Sequence, residues 1–594
     1  MLLSTQSSTD PSTIAQSWLS ALTGALRSQD VSSALSLFGK ECSWKDLFTF
    51  SWDIHSMVGP DAIRKYLDDD AQMGCSQLYS MKLRGPAKFD TFLDDKTVIF
   101  SFFDFETRTT RGQGVLRLAQ ESESGKWLGL TLYTGIEELK GHEEKIIAPL
   151  VGDAQPVVDN KPRAAYQHGP DTYADHDPEV LIIGAGQCGL SIAARLDRLD
   201  VKTLVIEKSA CAGDSWRKRY DALILHDPVW VDHLPYLPFP DDWPALMPRA
   251  MLADWLEAYA KALQINMWTS TTLEQPSYNE ATGDWTVELI RPDGRRRVMH
   301  PKHLIVCTGM FGEPRIPDFE GFDRFQGPVM HSSQFKNGKE FGGKKVVVVG
   351  ACNSAMDISL DLQQNGADVT IVQRSSTYIM STKGSMDIIF GKDRLVPPEV
   401  ADLMKFSLPL SVATARSVAF TSELREYDAE MLAGLERAGY KVDFGYGDAG
   451  FYLKVLFRGG GYYFDIGCCQ AIIDGHIKVK QGQEIDHFEE DGVVFADGDK
   501  VKADAIVCAT GYSGLTPAVR PLLGDKIMER VGTVGTVDDE GERKGAWRLT
   551  GHPGLWFHIG NIQLCRFFSK RLALQVKAEL VGLQSESQRI RSRL

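Results

Sequence analysis

The chain of 594 residues is 43% hydrophobic and 24% charged, the composition of an ordinary globular protein rather than a disordered, collagen-like or coiled-coil one. Its 65 Lys and Arg against 79 Asp and Glu leave a net charge of −14, which opposes sequence-independent binding to nucleic acid or an anionic membrane. No apolar run approaches the roughly 20 residues that span a bilayer, and the start lacks a basic segment ahead of a long apolar core. Neither a membrane span nor a secretory signal is expected, and the chain reads as intracellular. At about 100–200 residues per domain, the length predicts roughly three to five domains.

Residues 1–140 open with helical spacing (Ile14, Trp18, Leu19, Leu22, Leu26), then a short helix at 31–38 and another from Gly59-Pro60 through Leu67. Strands are predicted over 97–107, 114–119 and 127–134, so this part reads as a small α+β domain. Residues 141–177, with Pro149, Pro156, Pro162 and Pro170, form a linker. From 178 onward apolar strands alternate with helices and glycine turns, the grammar of an α/β fold. The ten cysteines contain no C-x-x-C pair, so they read as reduced core residues, the adjacent Cys468 and Cys469 included. With 13 histidines and no helical H-x-x-x-H, no metal is expected.

Two dinucleotide-type turns carry the chemistry. In the first, the strand from Val180 feeds Gly184-x-Gly186-x-x-Gly189 and a helix over 190–198. Gly184 permits the tight turn, Gly186 lets backbone approach a pyrophosphate, and Gly189 allows close helix–strand packing. The next strand ends in Glu207, about 20 residues on, where a carboxylate can hold ribose hydroxyls. The second turn, Gly350-Ala-Cys352-Asn353-Ser354-Ala355, departs from the fingerprint at Cys352 and Ala355, and a helix over 356–364 follows. Its next strand ends in Arg374, which suits a 2′-phosphate, so this site is expected to prefer NADPH.

Between the turns, Phe325-x-Gly327-x-x-x-His331-x-x-x-Phe335 resembles the fingerprint of class B flavin-dependent monooxygenases. Cys307-Thr-Gly309 and Ala509-Thr510-Gly511-Tyr512 resemble that family's two crossings between its FAD and NADPH domains. Tyr220 to Pro228, Leu234 to Pro240 and Asn353 to Asp357 are similar to the YUCCA-like branch of flavin-containing monooxygenases. The resemblance implies two nested Rossmann-type domains. FAD would occupy 178–335 and 501–594, with NADPH on 336–500 between them. It also implies hydride transfer from NADPH to FAD and addition of O2 to give a C4a-(hydro)peroxyflavin. One oxygen atom then passes to a small substrate, by N- or S-oxygenation or by decarboxylation of an α-keto acid such as an indole-pyruvate. Trp216 would lie near the flavin, and His226 is the polar candidate for a catalytic role at its substrate side.

Residues 1–140 resemble the NTF2-like cone fold, which implies an accessory domain and a possible homodimer through it. Asp46 is the one acid there placed for catalysis, although a surface or capping role suits it better. A nucleotide-sensing flavoprotein without turnover stands as the alternative, on the strength of Cys352. The terminal Ser592-Arg593-Leu594 is a variant of the S-K-L address, so a peroxisomal location is expected, with the cytoplasm otherwise.

Overall fold

The computed structural model describes residues 10–69, 72–93, 95–145 and 172–583; most of the linker and the Ser592-Arg593-Leu594 tail lie outside them. Capping aspartates start the first two helices. Asp10 accepts from the Thr13 amide at 3.0 Å to begin α1 (Pro11–Arg27), and Asp30 accepts from the Ser33 amide at 3.0 Å to begin α2 (Val31–Leu35). There follow β1 (Phe38–Leu47), β2 (Ile54–Val58), α3 (Pro60–Asp69), β3 (Leu78–Leu83), β4 (Lys88–Phe92), β5 (Lys96–Thr107), β6 (Thr110–Gln120) and β7 (Trp127–Leu139). The sheet runs β2-β1-β7-β6-β5-β3, with β4 beside β5; β1 and β7 are parallel and the other pairs antiparallel.

Trp18, Trp44, Phe50, Tyr66, Phe103 and Phe105 fill the space between helices and sheet. Asp46 lies inside this core, which corrects the surface expectation. Its carboxylate accepts from Tyr66 Oη (2.8 Å), Thr134 Oγ1 and the amides of Thr49 and Phe50 (3.2 and 3.3 Å). Four donors on two oxygens explain how a carboxyl can be buried there, and make Asp46 a structural group rather than a free acid.

The other face of the sheet lies against the rest of the chain. Phe48, Trp52, Phe100 and Tyr133 join the main hydrophobic core. Arg548 grips Asp53 through two bonds of 2.7 Å, Lys45 reaches Glu542 at 2.6 Å, and Glu137 meets Lys570 at 2.7 Å and Arg571. A homodimer through this domain would need a face that the chain does not cover itself.

The first parallel sheet has the order β10-β9-β8-β11-β17, from β8 (Val180–Ile183), β9 (Thr203–Ile206), β10 (Met267–Trp268), β11 (His303–Val306) and β17 (Leu555–Phe557). Two helices serve it, α4 (Gln187–Arg198) after β8 and α6 (Ile562–Leu580) after β17. The second parallel sheet has the order β12-β16-β13-β14-β15, from β12 (Val329–His331), β13 (Lys345–Val349), β14 (Asp368–Gln373), β15 (Ile477–Gln481) and β16 (Ala505–Cys508), with α5 (Asn353–Gln364) after β13. Since β12 and β16 both pair in this sheet, the nicotinamide unit extends past the expected borders at 336 and 500 in both directions. A run of helices from Thr382 to Arg458 is inserted in the second unit.

Candidate cofactor site and domain crossing

At the first turn each glycine has its own physical reason. Gly184 sits at φ +106°, and a Cβ there would come within 2.7 Å of Cys307 O. A Cβ on Gly189 would lie 1.8 Å from Gly184 O, so only glycine lets α4 start this close to β8. Gly186 has nothing within 4 Å of its Cβ position, which leaves its backbone approachable by a pyrophosphate. Glu207 is fixed by the Ala185 and Ser209 amides, both at 2.8 Å, one on each oxygen. Each oxygen keeps a second lone pair for a ribose hydroxyl. The donor set therefore fits FAD.

A second helix start converges on the same place. Gln187 donates from Nε2 to Gly560 O at 3.3 Å and accepts the Trp216 indole N–H at 3.2 Å. Asn561 caps α6 by accepting from the Leu564 amide at 3.0 Å, and its amide nitrogen donates to Asp227 at 2.8 Å. The N-terminal ends of α4 and α6 thus meet around Gly560, and both dipoles favour an anionic cofactor. Asn561 is absent from the residues the sequence singled out. Its signal was there: an asparagine ahead of the apolar run Ile562-Gln-Leu-Cys-Arg-Phe is a helix start.

The second turn repeats the scheme with one change. Gly350 sits at φ +127°, where a Cβ would come within 2.5 Å of Ala509 O. Cys352 caps α5 in an extended conformation (φ −107°, ψ −171°), so no left-handed backbone demands glycine there. Burial pushes its thiol up, and the side chain lies against the Gly461 backbone. Arg374, just beyond β14, is exposed and has no hydrogen bond or ion pair with a described residue. An unpaired guanidinium in that place fits the 2′-phosphate of NADPH.

The two units are joined by crossings bonded to each other. Gly312 N donates to Ser513 O (2.8 Å), Ser513 N to Glu313 O (2.8 Å) and Arg315 N to Gly511 O (3.0 Å), while Thr510 Oγ1 bonds Arg315 O. The fingerprint histidine clamps this junction. His331 Nδ1 accepts from the Ser333 amide at 3.1 Å, so its proton sits on Nε2 and is donated to Gly511 O at 2.9 Å. Burial lowers its pKa and keeps it neutral. Gly327 has a packing role, since a Cβ there would fall 2.3 Å from Asp504 O.

On the flavin side of the junction, the His226 ring stacks on Phe464 of the strand Tyr462–Asp465, 5.4 Å between centroids and 16° apart in plane. Phe464 N donates to Asn353 Oδ1 at 3.3 Å, so His226 touches the nicotinamide unit at the start of α5. Burial pulls the imidazole down to about 4, and it is neutral at pH 7. One turn along α5, Asp357 is buried and accepts from Tyr220 Oη at 2.8 Å, with Ser354 beside the same hydroxyl. Burial raises Asp357 to about 7. The structure therefore brings Asn353, Ser354, His226 and the Trp216 loop to one junction. Arg374 and Glu207 stand at the ends of their own strands.

Among the described residues no helix is long and apolar enough to cross a membrane. A family model described as flavin-binding monooxygenase-like matches residues 177–424. The chain is 33% identical over 370 residues to the indole-3-pyruvate monooxygenase YUCCA1 of Oryza sativa subsp. japonica, covering 62% of this chain and 83% of that protein. A structure of cyclohexanone monooxygenase in its open form matches with a TM-score of 0.51 at 15% identity, over 68% of this chain and 89% of that one. An oxidized steroid monooxygenase bound to NADP matches with a TM-score of 0.51 at 16% identity, over 68% and 85%. At those identities the two structures speak for the fold alone. One residue in three shared across most of a relative's length places this chain in the flavin-binding monooxygenase-like family, and it is an FAD- and NADPH-dependent monooxygenase.

Proposed function

We propose that the substrate is an aromatic α-keto acid of the indole-3-pyruvate kind, which the enzyme decarboxylates oxidatively. In balance, keto acid, NADPH, H+ and O2 give the carboxylic acid one carbon shorter, CO2, NADP+ and water. The observation that carries this reading is the 33% identity to a protein named as an indole-3-pyruvate monooxygenase. The state of His226 agrees with it. When bound, the flavin supplies the oxygen chemistry. A neutral imidazole at the junction offers a hydrogen bond but no acidic proton, which suits attack on a carbonyl carbon by an unprotonated oxygen nucleophile. Oxygenation of an amine or thioether needs the oxidant protonated. Glu207 and the helix starts at Gln187 and Ile562 would hold FAD, and Arg374 with the second turn would hold NADPH.

The test supplies indole-3-pyruvate, phenylpyruvate, a tertiary amine and a thioether to the FAD-loaded enzyme, with NADPH, O2 and CO2 followed together. Release of CO2 in step with NADPH oxidation, for the keto acids only, supports the reading. S- or N-oxide formation without CO2 would overturn it. Membership of the family sets aside the reading as a sensor without turnover. The N-terminal domain we read as an NTF2-like accessory unit, on its helices and seven-stranded sheet. A peroxisomal address at Ser592-Arg593-Leu594 is a separate proposal, tested by a reporter carrying those residues with and without Leu594.

A further inference from the structure

Beneath the flavin turn lies a cluster that the oxygenase reaction does not use. Cys188 is the second residue of α4, Cys565 lies in the first turns of α6, and His558 follows β17. Their relative exposures are 3%, 0% and 0%. The two Sγ atoms are 3.2 Å apart, and one ligand atom from each of the three residues lies within 4.8 Å of the other two. Among the described residues no other group of three or more His, Cys, Asp or Glu side chains meets that geometry. Neither ring nitrogen of His558 has a hydrogen-bond partner. A fully buried imidazole with nothing to bond costs about 1–3 kcal/mol, so a core that tolerates one calls for an explanation.

We propose that Cys188, Cys565 and His558 hold a structural zinc ion that ties the start of α4 to the start of α6. Two thiolates, a neutral imidazole and a divalent cation sum to zero charge, which a dry apolar interior accepts. Binding moves no electrons: Zn2+ displaces one proton from each thiol, both protons leave to solvent, and a lone pair of His558 completes the third bond. The fourth position belongs to the Gly560 carbonyl, which lies 3.8 Å from Cys188 Sγ and 3.6 Å from Cys565 Sγ. For Zn–S of about 2.3 Å and Zn–O of about 2.1 Å, a tetrahedral S–O edge is about 3.6 Å. The matching S–S edge is about 3.8 Å, so the sulfurs need only open by about 0.5 Å. Cys307, buried alongside, packs on Cys188. The competing reading, a Cys188–Cys565 disulfide made by peroxide with loss of two electrons, leaves His558 unpartnered. For that reason the geometry favours the metal.

The test is metal analysis of the full FAD-loaded chain from zinc-supplemented culture, after gel filtration. About one zinc per chain is expected, with an X-ray absorption edge showing two sulfur ligands at about 2.3 Å. Cys565→Val and His558→Leu, which keep the core apolar, should each lower bound zinc at least tenfold while the flavin spectrum stays that of bound FAD. Zinc below about a tenth of an equivalent in the wild type, or unchanged in both variants, would overturn the proposal. So would a Cys188–Cys565 linked peptide in the unreduced protein. If neither variant folds, the wild-type zinc content and absorption edge decide alone.

Discussion

Arg374→Ala separates the two nicotinamide cofactors with little risk to the fold. The side chain is exposed and has no described partner, so its removal strands no buried group and should shift Tm by no more than a surface substitution does. What it loses is a charge-assisted contact to the 2′-phosphate, about 1.5–3 kcal/mol where well ordered. Solvent screening at an exposed site holds the effect near the lower end. At about 1.4 kcal/mol per decade, that is a rise of roughly tenfold or somewhat more in KM for NADPH. NADH lacks the phosphate, so its KM should stay within about twofold and kcat should hold with either cofactor. Steady-state oxidation of both cofactors at fixed ionic strength reads this directly, and the NADPH effect should shrink with added salt. Equal rises for both would refute the assignment and make Arg374 a structural residue. An NADPH effect independent of salt would refute the electrostatic mechanism.

Gly186→Ala should yield folded protein that purifies with little FAD, because the added methyl would fill open space through which a pyrophosphate can meet that backbone; flavin absorbance per chain checks it. Gly189→Ala should instead fail to fold, since its Cβ would sit 1.8 Å from Gly184 O, and soluble yield is the readout. Arg548→Ala leaves Asp53 partly buried without its bidentate partner and should cost about 1–3 kcal/mol, seen as a lower melting temperature with the N-terminal domain more open to protease. Burial raises the pKa of Asp357 in the folded protein to about 7, well above the usual carboxylate range, so between the two the native state holds a proton that the unfolded chain gives up. Its contribution to stability is therefore present at low pH and lost as pH rises from about 4 to 7, on the order of 4 kcal/mol, and Asp357→Asn should flatten that slope in denaturant titrations.

What the sequence revealed and what it hid divide along the chain separation of the partners. The glycine turns, Glu207 and Arg374 sit within one βαβ unit each, where strand, turn and helix follow in order, so local grammar sufficed. The fingerprint was visible for the same reason, although its meaning was not. The neighbours of Gly327 and His331, Asp504 and Gly511, lie far along the sequence and meet them only in the fold. Asp46 looked exposed because the donors that permit its burial, Tyr66 and Thr134, come from a helix and a strand that meet it only in the fold. No motif announced the helices from Thr382 to Arg458 or the packing of Phe464 against His226. The ten cysteines read as reduced core residues and are free thiols, most of them buried, but the approach of two of them was hidden. Taken one at a time they are small apolar residues, and the pattern tests for metals ask for short spacings along the chain. Cys188 and Cys565 stand at opposite ends of the first dinucleotide unit, which the second unit interrupts, and only the return of the chain through β17 brings α6 back beside α4. A nested fold places such pairs together as a consequence of its topology, so chemistry at the seam between first and last segments is where linear reading is blindest.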